Sequence, residues 1–276
     1  MIDMTLNVVP GGPTPAGSVL RAKQAYLELM GVKVTLDCGI AFLCEDVPGY
    51  REGQQFREVM VEDPAELAPA FAAAEAHFAE HDARCSRWAL AEAQDPAAIE
   101  PFLTERGFRR HDVQAVALTA WPEQPAHEAV RILPARPMRA AYIQCWESAM
   151  AYLPEDAREA AVAAAVERLD DHRMDSAVAT VDGVPAGVGA LFQVGDIGLV
   201  ADFYVVPGLR RRGVGSALLH HAIALARRLM MRLVCAEVPL ANPGGLAFLQ
   251  RHGFVDGGRF VEFLRDDMPA PDYASW

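Results

Sequence analysis

The segment that decides the fold reads FYVVPGLRRRGVGS and spans residues 203–216. It consists of an apolar, strand-like run, a tight turn with three arginines, and two glycines that lead into an amphipathic helix. Gly213 and Gly215 let the backbone approach a ligand closely and turn several N–H groups in one direction. The helix N-terminus adds unpaired donors and partial positive charge, and the arginines add countercharge. The segment therefore predicts a binding site for a pyrophosphate or another polyanion.

A surface turn with a solvated charge run is the alternative interpretation of this segment. Two common nucleotide-binding motifs do not fit it. The loop lacks the Lys-Ser or Lys-Thr ending of a P-loop. It also lies late in an antiparallel-looking order of elements, whereas a dinucleotide-binding fingerprint opens a βαβ unit.

Two short predicted helices, one in each half of the chain, carry the same signals at their ends. The first begins at Asp95-Pro96 and ends at Gly107, and the second begins at Asn242-Pro243 and ends at Gly253. Asp or Asn caps the helix, Pro fits its first position, and Gly takes the left-handed conformation beyond its end. Phe-Leu and Gly-Phe pairs recur in both helices at a constant offset of 146 residues. This offset predicts an internal duplication.

A proline-containing stretch at residues 121–125 predicts a boundary between the two halves. We expect a flexible tail over residues 1–20, a first domain over 21–125 and a second over 126–276. The second domain is predicted to have the order β-α-α-β-β-β-α-β-α-β, with a hairpin around Asp182-Gly183. The first is a thinner version of it. The expected fold class is α/β (α+β), with two domains that each contain a mixed, mostly antiparallel sheet flanked by helices.

Composition excludes several classes of protein. The formal net charge is −12, which disfavours a nucleic-acid-binding protein, since such proteins neutralise phosphates. No run approaches about 18 consecutive apolar residues, so no membrane span is expected, and no secretory signal is expected either. An odd number of scattered cysteines predicts reduced thiols, a cytoplasmic location and no metal site. The five cysteines are Cys38, Cys44, Cys85, Cys145 and Cys235.

The sequence RRRGVG at residues 210–215 resembles the acyl-CoA loop of the GNAT superfamily of N-acetyltransferases, whose motif is Arg/Gln-x-x-Gly-x-Gly/Ala. A second element of that family, an Asn followed eleven residues later by Gly-Phe, is present as Asn242 and Gly253-Phe254. The resemblance covers residues 128–266, and the first half resembles a degenerate copy in a tandem arrangement. It implies transfer of an acetyl group from acetyl-CoA, as co-substrate, to a small-molecule amine or a protein or peptide amine. The oligomeric state expected is a monomer or a homodimer.

The resemblance also implies roles for individual residues. The strand backbone would hold the pantetheine arm of CoA, through Phe203, Tyr204 and Val205. The loop would hold the pyrophosphate, and Asn242 is assigned to the same acyl-CoA site. The loop residues are Arg210, Arg211, Arg212, Gly213, Val214, Gly215 and Ser216. The first half has Glu62-Asp63-Pro64 at the corresponding place, where carboxylates would repel a pyrophosphate, so no second site is expected. The expected role of the first half is to cover the exposed sheet edge or to shape the acceptor pocket.

Acetyl transfer to an amine needs a base, because the amine is protonated at neutral pH. Glu237 is the first choice, since it ends a strand near the point where two central strands should separate. Asp202, inside an apolar strand, is the second. A solvated carboxylate and an ion pair with an arginine are their respective structural alternatives. Leu249 stands where the family often has a tyrosine acid, so two rival hypotheses remain: a non-catalytic acyl-CoA sensor or scaffold, and a protein without a CoA site.

Overall fold

The computed structural model describes residues 14–122 and 128–267. Eleven strands in this part of the chain form one sheet. They are β1 (Val32–Leu36), β2 (Gly39–Leu43), β3 (Gln54–Val59), β4 (Arg87–Leu90), β5 (Phe108–Leu118), β6 (Val130–Pro134), β7 (Met174–Val181), β8 (Val184–Val194), β9 (Ile197–Val205), β10 (Leu233–Pro239) and β11 (Phe254–Arg265).

Seven α-helices in the described residues flank the sheet. They are α1 (Pro15–Leu27), α2 (Leu67–Ala79), α3 (Glu100–Thr104), α4 (Arg139–Ala149), α5 (Glu155–Glu167), α6 (Val214–Arg228) and α7 (Pro243–Arg251). From β6 to β11 the order of strands and α-helices is the one predicted for the second half. The predicted hairpin is also present, with Asp182 and Gly183 at φ values of 53° and 80°. The prediction of a mixed, mostly antiparallel α/β fold is confirmed.

The two halves exchange their last strands. The order across the sheet is β1-β2-β3-β4-β11-β5-β10-β9-β8-β7-β6. Among the described strands the neighbours are antiparallel, except for the parallel pairs β3–β4 and β9–β10. Strand β11 therefore covers the edge of β4, and β5 covers the edge of β10. Coverage of an exposed sheet edge by the first half was one expectation from the sequence, but the exchange of the last strands was not predicted.

The duplication is visible in the backbone of the two halves. Each half contains one parallel strand pair, and in each the first strand of that pair is irregular. Glu58 in β3 and Asp202 in β9 both adopt positive φ values, 53° and 52°, which few residues other than glycine adopt. The same bulge is thus preserved at equivalent places, although the loops that follow differ.

The predicted flexible tail is wrong for residues 15–20, which belong to helix α1. Thr14 caps this helix by accepting a hydrogen bond from the Gly17 N–H at 2.9 Å, and Pro15 occupies its first turn. The Pro-Gly-rich composition concealed a helix start of the same kind as the two recognised elsewhere. Residues 1–13 lie outside the described residues, as do residues 123–127, on which the predicted domain boundary falls.

Helix α1 ties the two halves together. Its buried side chains, including Val19 and Leu27, join one apolar core with Val113 of β5, Trp146 of α4 and Phe192 of β8. Four of the five cysteines are buried and Cys38 is half-buried, as expected for small apolar core residues. None of the helices within residues 14–122 and 128–267 has the length and apolar character needed to cross a membrane.

The exchange of strands predicts how the second half behaves when it is expressed without the first. Residues 126–276 expressed alone are expected to be insoluble or unfolded, because β11 and β10 would lose β5, their common antiparallel neighbour. Unpaired strand edges of that length promote aggregation. Co-expression with residues 1–125 is expected to restore a soluble complex, detectable by co-purification and circular dichroism. A folded, monomeric C-terminal fragment would contradict this expectation.

Candidate active site

Strands β9 and β10 separate in the middle of the sheet. Their parallel pairing runs from Leu233 opposite Ile197 to Cys235 opposite Leu199. Beyond this point β9 bends at the bulge around Asp202, where its register with β8 also shifts. The opening between the two strands exposes backbone and side chains to a cavity, as the sequence predicted for the neighbourhood of Glu237.

The glycine loop brings the N-terminus of α6 to this opening. Gly213 takes the N-cap position with φ 81°, a left-handed conformation that suits glycine. Among the described residues, no side chain caps this helix, and its first turn contains no acidic residue. Arg210 steadies the loop by donating from Nε to the Val205 carbonyl at 3.1 Å. The uncapped N–H groups of α6 are therefore available to an anion.

In the first half, acidic residues occupy the short turn Pro64–Glu66 that leads into α2. The Asp63 carboxylate accepts a hydrogen bond from the Ala65 N–H at 2.9 Å, and Glu66 adds a second negative charge in the same turn. An incoming phosphate would have to displace the Asp63 carboxylate and would be repelled by Glu66.

A cavity of about 670 Å³ lies between the separated strands. One part of its lining comes from the glycine loop, α6 and α7. Another part comes from elements of the first half and from β11, and the ends of β9 and β10 lie between them. The charged and aromatic lining residues are Lys23, Tyr26, Glu52, Arg87, His111, Asp202, Phe203, Arg210, Arg211, Glu237, Phe248, Arg251 and Glu262.

Glu237 lies on the cavity wall in an ion pair with the first half. The Lys23 ammonium of α1 donates to Glu237 Oε1 at 2.6 Å, and both side chains are largely buried. Glu237 Oε2 is buried without a hydrogen-bond partner. Burial favours the neutral acid, but the positive charges of Lys23 and Arg57 outweigh it and lower the pKa of Glu237. Glu237 is therefore ionised at neutral pH.

Asp202 is held from two sides. The Tyr26 hydroxyl of α1 donates to Asp202 Oδ1, and the guanidinium of Arg168 lies 3.5 Å from Oδ2. Arg168 is buried and packs over the rings of Tyr26 and Trp146, at 5.5 and 5.6 Å. Burial raises the pKa of Tyr26 well above its usual range, so its hydroxyl stays protonated and donates. The ion pair that was the structural alternative for Asp202 is present.

A buried ionic network lies beside Glu237 on the same side of the cavity. Arg87 of β4 donates to Glu52 at 2.7 Å and to Glu262 of β11 at 2.9 Å. Arg57 of β3 donates to Glu262 at 3.0 Å. Burial favours the neutral form of Glu52, but Arg87 and Lys23 lower its pKa below the ordinary value. This network joins both halves through the exchanged strand.

Helix α7 forms the opposite wall. Asn242 caps it by accepting from the Gly245 N–H at 2.8 Å, and Leu249 lines the cavity at the position of the missing tyrosine. Ser216 contacts His252 Nε2 at 3.1 Å, and His252 Nδ1 lies 2.8 Å from the Phe248 carbonyl. Because a carbonyl only accepts, Nδ1 donates to Phe248, and Nε2 shares a hydrogen bond with the Ser216 hydroxyl.

Most of the predicted site residues lie together on this cavity. The lining includes Asp202, Phe203, Val205, Arg210, Arg211, Gly213, Val214, Gly215, Ser216, Glu237 and Asn242. Two do not contribute to it. The hydroxyl of Tyr204 meets that of Ser148 of α4 at 2.9 Å, and Arg212 lies 3.4 Å from Asp182 in the β7–β8 turn. Their side chains are committed to neighbouring elements.

The first half was expected to cover a sheet edge or shape the acceptor pocket, but the residues that it contributes to the cavity were not predicted. Lys23, Tyr26, Glu52 and Arg87 all line it. A signal existed, because Arg57, Arg87 and Glu262 each stand next to an aromatic residue in a strand-like run, and charges buried there need partners. Which charges meet depends on strand exchange, which the sequence did not reveal. Within the described residues, no group of three His, Cys, Asp or Glu side chains is arranged to hold a metal ion.

Comparison with known families identifies one part of the chain. The family model described as "Acetyltransferase (GNAT) family" matches residues 137–254. These residues include the glycine loop, α6 and α7, and they cover 43% of the chain by count, 118 of 276. A search of curated protein sequences finds no match to this chain.

Solved structures match nearly the whole chain at low identity. A functionally unknown conserved protein from Staphylococcus epidermidis is 14% identical, with a TM-score of 0.65 over 88% of this chain and 96% of that one. A GCN5-related N-acetyltransferase from Kribbella flavida is 20% identical, with a TM-score of 0.61 over 93% and 97%. A tandem GNAT protein from the clavulanic acid biosynthesis pathway is 16% identical, with a TM-score of 0.50 over 91% and 96%. At these identities the matches show a shared fold.

Proposed function

Because residues 137–254 form a domain of the acetyltransferase (GNAT) family, we propose that this chain transfers an acetyl group from acetyl-CoA to the amine of a small molecule or peptide. The observation that carries the proposal is one cavity that joins the uncapped N-terminus of α6 to the carboxylate of Glu237. An anion site and a base are the two groups that such a transfer requires.

The residues present fit the proposed co-substrate. N–H groups at the start of α6 would hold the pyrophosphate of acetyl-CoA, with Arg210 and Arg211 supplying countercharge. The bulged end of β9, from Phe203 to Val205, would run along the pantetheine arm. Acetyl-CoA supplies an activated thioester for attack by the amine. The Ser216 hydroxyl is committed to His252, so the backbone N–H of Ser216 is the group that faces the anion.

Glu237 is assigned as the base that accepts the proton of the acceptor ammonium, directly or through a water. It lies on the cavity wall, whereas Asp202 is already engaged by Tyr26 and Arg168. Asp202 instead fixes the bulge that shapes β9. Leu249 offers no acid for the departing thiolate, so we assign that proton to solvent.

A calorimetric titration with acetyl-CoA, and with desulfo-CoA as a non-reactive control, tests the proposal. We expect one site per chain, followed by acceptor-dependent release of CoA in an amine panel. Binding without turnover would favour the sensor or scaffold hypothesis, which the leucine at position 249 motivates. Two sites would contradict the assignment of Asp63 as an intrinsic cap, and no binding would overturn the proposal.

Substitution of Tyr26 by phenylalanine is expected to weaken use of acetyl-CoA although Tyr26 belongs to the first half. Without its hydroxyl, Asp202 keeps only the 3.5 Å contact to Arg168, and the bulge in β9 loses one of its two anchors. A hydrogen bond to a charged group contributes about 1.5–3 kcal/mol, so kcat/KM for acetyl-CoA is expected to fall roughly 10- to 100-fold.

The matched control for this variant is Tyr50→Phe. Tyr50 is also buried and lies near Arg168, and burial likewise raises its pKa, but its interaction with Asp202 is coulombic, whereas Tyr26 donates a hydrogen bond to that carboxylate. Steady-state kinetics should show a raised KM for acetyl-CoA in the Tyr26 variant alone. Equal losses in both variants, with lowered melting temperatures, would reduce Tyr26 to a general role in packing.

A further inference from the structure

The charged side chains beside Glu237 form a balanced set, which we call the charged wall. It contains three cations, Lys23, Arg57 and Arg87, and three carboxylates, Glu52, Glu237 and Glu262. Arg57 and Glu262 are almost completely buried. A buried charge is stable only while it has a partner, and each of these six side chains contacts an opposite charge.

Proton transfer to Glu237 would disturb this balance. When Glu237 becomes neutral, the Lys23 ammonium loses the carboxylate that lies 2.6 Å from it. The Lys23 side chain is only 14% exposed, so water cannot fully replace that partner. The Lys23–Glu237 ion pair also lowers the pKa of Glu237, which opposes its action as a base. A substrate group that pairs with Lys23 would give this ammonium a lasting partner, and it would also remove the ion pair that lowers the pKa of Glu237.

We propose that the acceptor is an amino carboxylate, a molecule that carries a carboxylate close to its reactive amine; this inference rests on the proposed function. Its carboxylate pairs with the Lys23 ammonium, and its ammonium lies against Glu237. The Lys23–Glu237 ion pair is replaced by two ion pairs, one between Lys23 and the substrate carboxylate and one between Glu237 and the substrate ammonium. Because the substrate carries one charge of each sign, the net charge at the wall does not change. The substrate itself thus separates Lys23 from the base.

The proton inventory then closes. The acceptor ammonium gives one proton to the Glu237 carboxylate and becomes a neutral amine, whose lone pair attacks the thioester carbonyl. As the C–N bond forms and the C–S bond breaks, the nitrogen loses a second proton, the departing thiolate takes one from solvent, and Glu237 returns its proton to solvent. Lys23 remains protonated and keeps a partner, the substrate carboxylate. A simple amine or a polyamine would instead bring only positive charge and no carboxylate to pair with Lys23. A peptide amine whose carboxylate is remote would leave Lys23 without a partner at the same step.

The chain provides a specific probe, because Lys23 and Lys33 are its two lysines. Uniform incorporation of lysine labelled with ¹³C at the ε-carbon gives two side-chain signals. Lys33, which pairs with Glu28 at the surface, is the internal reference. Each common amino acid, together with β-alanine and 4-aminobutyrate, is titrated into protein saturated with desulfo-CoA. The amine formed by its decarboxylation is titrated in parallel.

At least one amino carboxylate is expected to shift the Lys23 signal saturably, while its decarboxylated counterpart and the Lys33 signal show no such shift. The inference is overturned if no amino carboxylate moves the Lys23 signal, or if the matched amine moves it equally. Titrations repeated without desulfo-CoA keep this test independent of acetyl-CoA binding. Failure of desulfo-CoA to bind would count against the proposed function and not against the Lys23 contact.

A pair of variants gives a second readout. Lys23→Met is expected to lower kcat/KM for the preferred amino carboxylate at least tenfold relative to kcat/KM for the matched amine. Lys33→Met is expected to leave that ratio unchanged. An unchanged ratio in the Lys23 variant, in protein that still binds desulfo-CoA, would overturn the inference.

Discussion

Replacement of Gly213 by glutamate is expected to abolish binding of acetyl-CoA. Gly213 has φ 81° at the N-cap of α6, where any other residue is strained by about 1–2 kcal/mol. The new carboxylate would also lie beside the uncapped N–H groups and compete with the anion for them, as Asp63 does in the first half. Together these effects are expected to raise Kd at least ~100-fold, equivalent to about 2.7 kcal/mol.

Gly183 provides a matched control for the backbone strain. It has φ 80° in the turn between β7 and β8, and a β-carbon there would meet only open space. Gly183→Glu should therefore cost a similar amount of stability without changing Kd, and Gly213→Ala should show the strain without the carboxylate. Calorimetry and thermal unfolding on the three variants separate the two effects. Retained affinity in Gly213→Glu would show that the anion binds elsewhere.

Much of the second half could be predicted because its signals are local. Asn242 and Pro243 mark a helix start, Asp182-Gly183 marks a hairpin, and the glycine loop marks a helix N-terminus open to an anion. Each depends on backbone conformations fixed by neighbouring residues. The structure places them in the predicted order, with the loop and Glu237 on one cavity.

The contribution of the first half could not be predicted from such signals. Whether β11 pairs inside its own half or with β4 of the other half depends on contacts between residues far apart in sequence. For the same reason Lys23 could not be placed beside Glu237, 214 residues later. Helix α1 was missed because Thr14-Pro15 lies in a Pro-Gly-rich stretch that also suits a flexible tail.

The two halves share the bulge in one central strand, but they differ in the residues at the start of the helix that follows it. Both retain the bulge with positive φ, at Glu58 and at Asp202. After the bulge, the first half has Asp63 capping the short turn Pro64–Glu66 and Glu66 at the N-cap of α2, whereas the described start of α6 carries no acidic residue. The first half thus places acidic residues before its helix, and it supplies Lys23, Tyr26 and the network of Arg87 to the cavity of the second. A duplicated domain without a loop of its own can in this way complete the active site of its partner.

Replacement of Glu237 by glutamine is expected to remove most of the turnover while acetyl-CoA still binds. The amide is nearly isosteric and its oxygen can still accept from Lys23, but it cannot take a proton. General bases contribute about 10²- to 10⁴-fold to rate, so a loss of kcat of that order is expected. In the native chain, the lowered pKa of Glu237 keeps it ionised at neutral pH, and protonation of this base limits the rate only on the acid side. The variant should lose that acid limb and retain a slow rate that rises with pH as the free amine forms.

Asp202→Asn is the variant that discriminates between the two carboxylates. If Asp202 fixes the bulge of β9, its replacement should raise KM for acetyl-CoA more than it lowers kcat, as expected for Tyr26→Phe. If Asp202 were the base, the pattern would be reversed: kcat would collapse in Asp202→Asn, and Glu237→Gln would stay active with an unaltered acid limb. Single-turnover measurements with saturating acetyl-CoA decide between these outcomes, because they separate the transfer step from binding and product release. We expect Glu237 to be the base. Among the carboxylates in the described cavity lining, Glu237 is the one with a buried oxygen that has no hydrogen-bond partner, and its other oxygen pairs with Lys23, which the substrate carboxylate is proposed to displace.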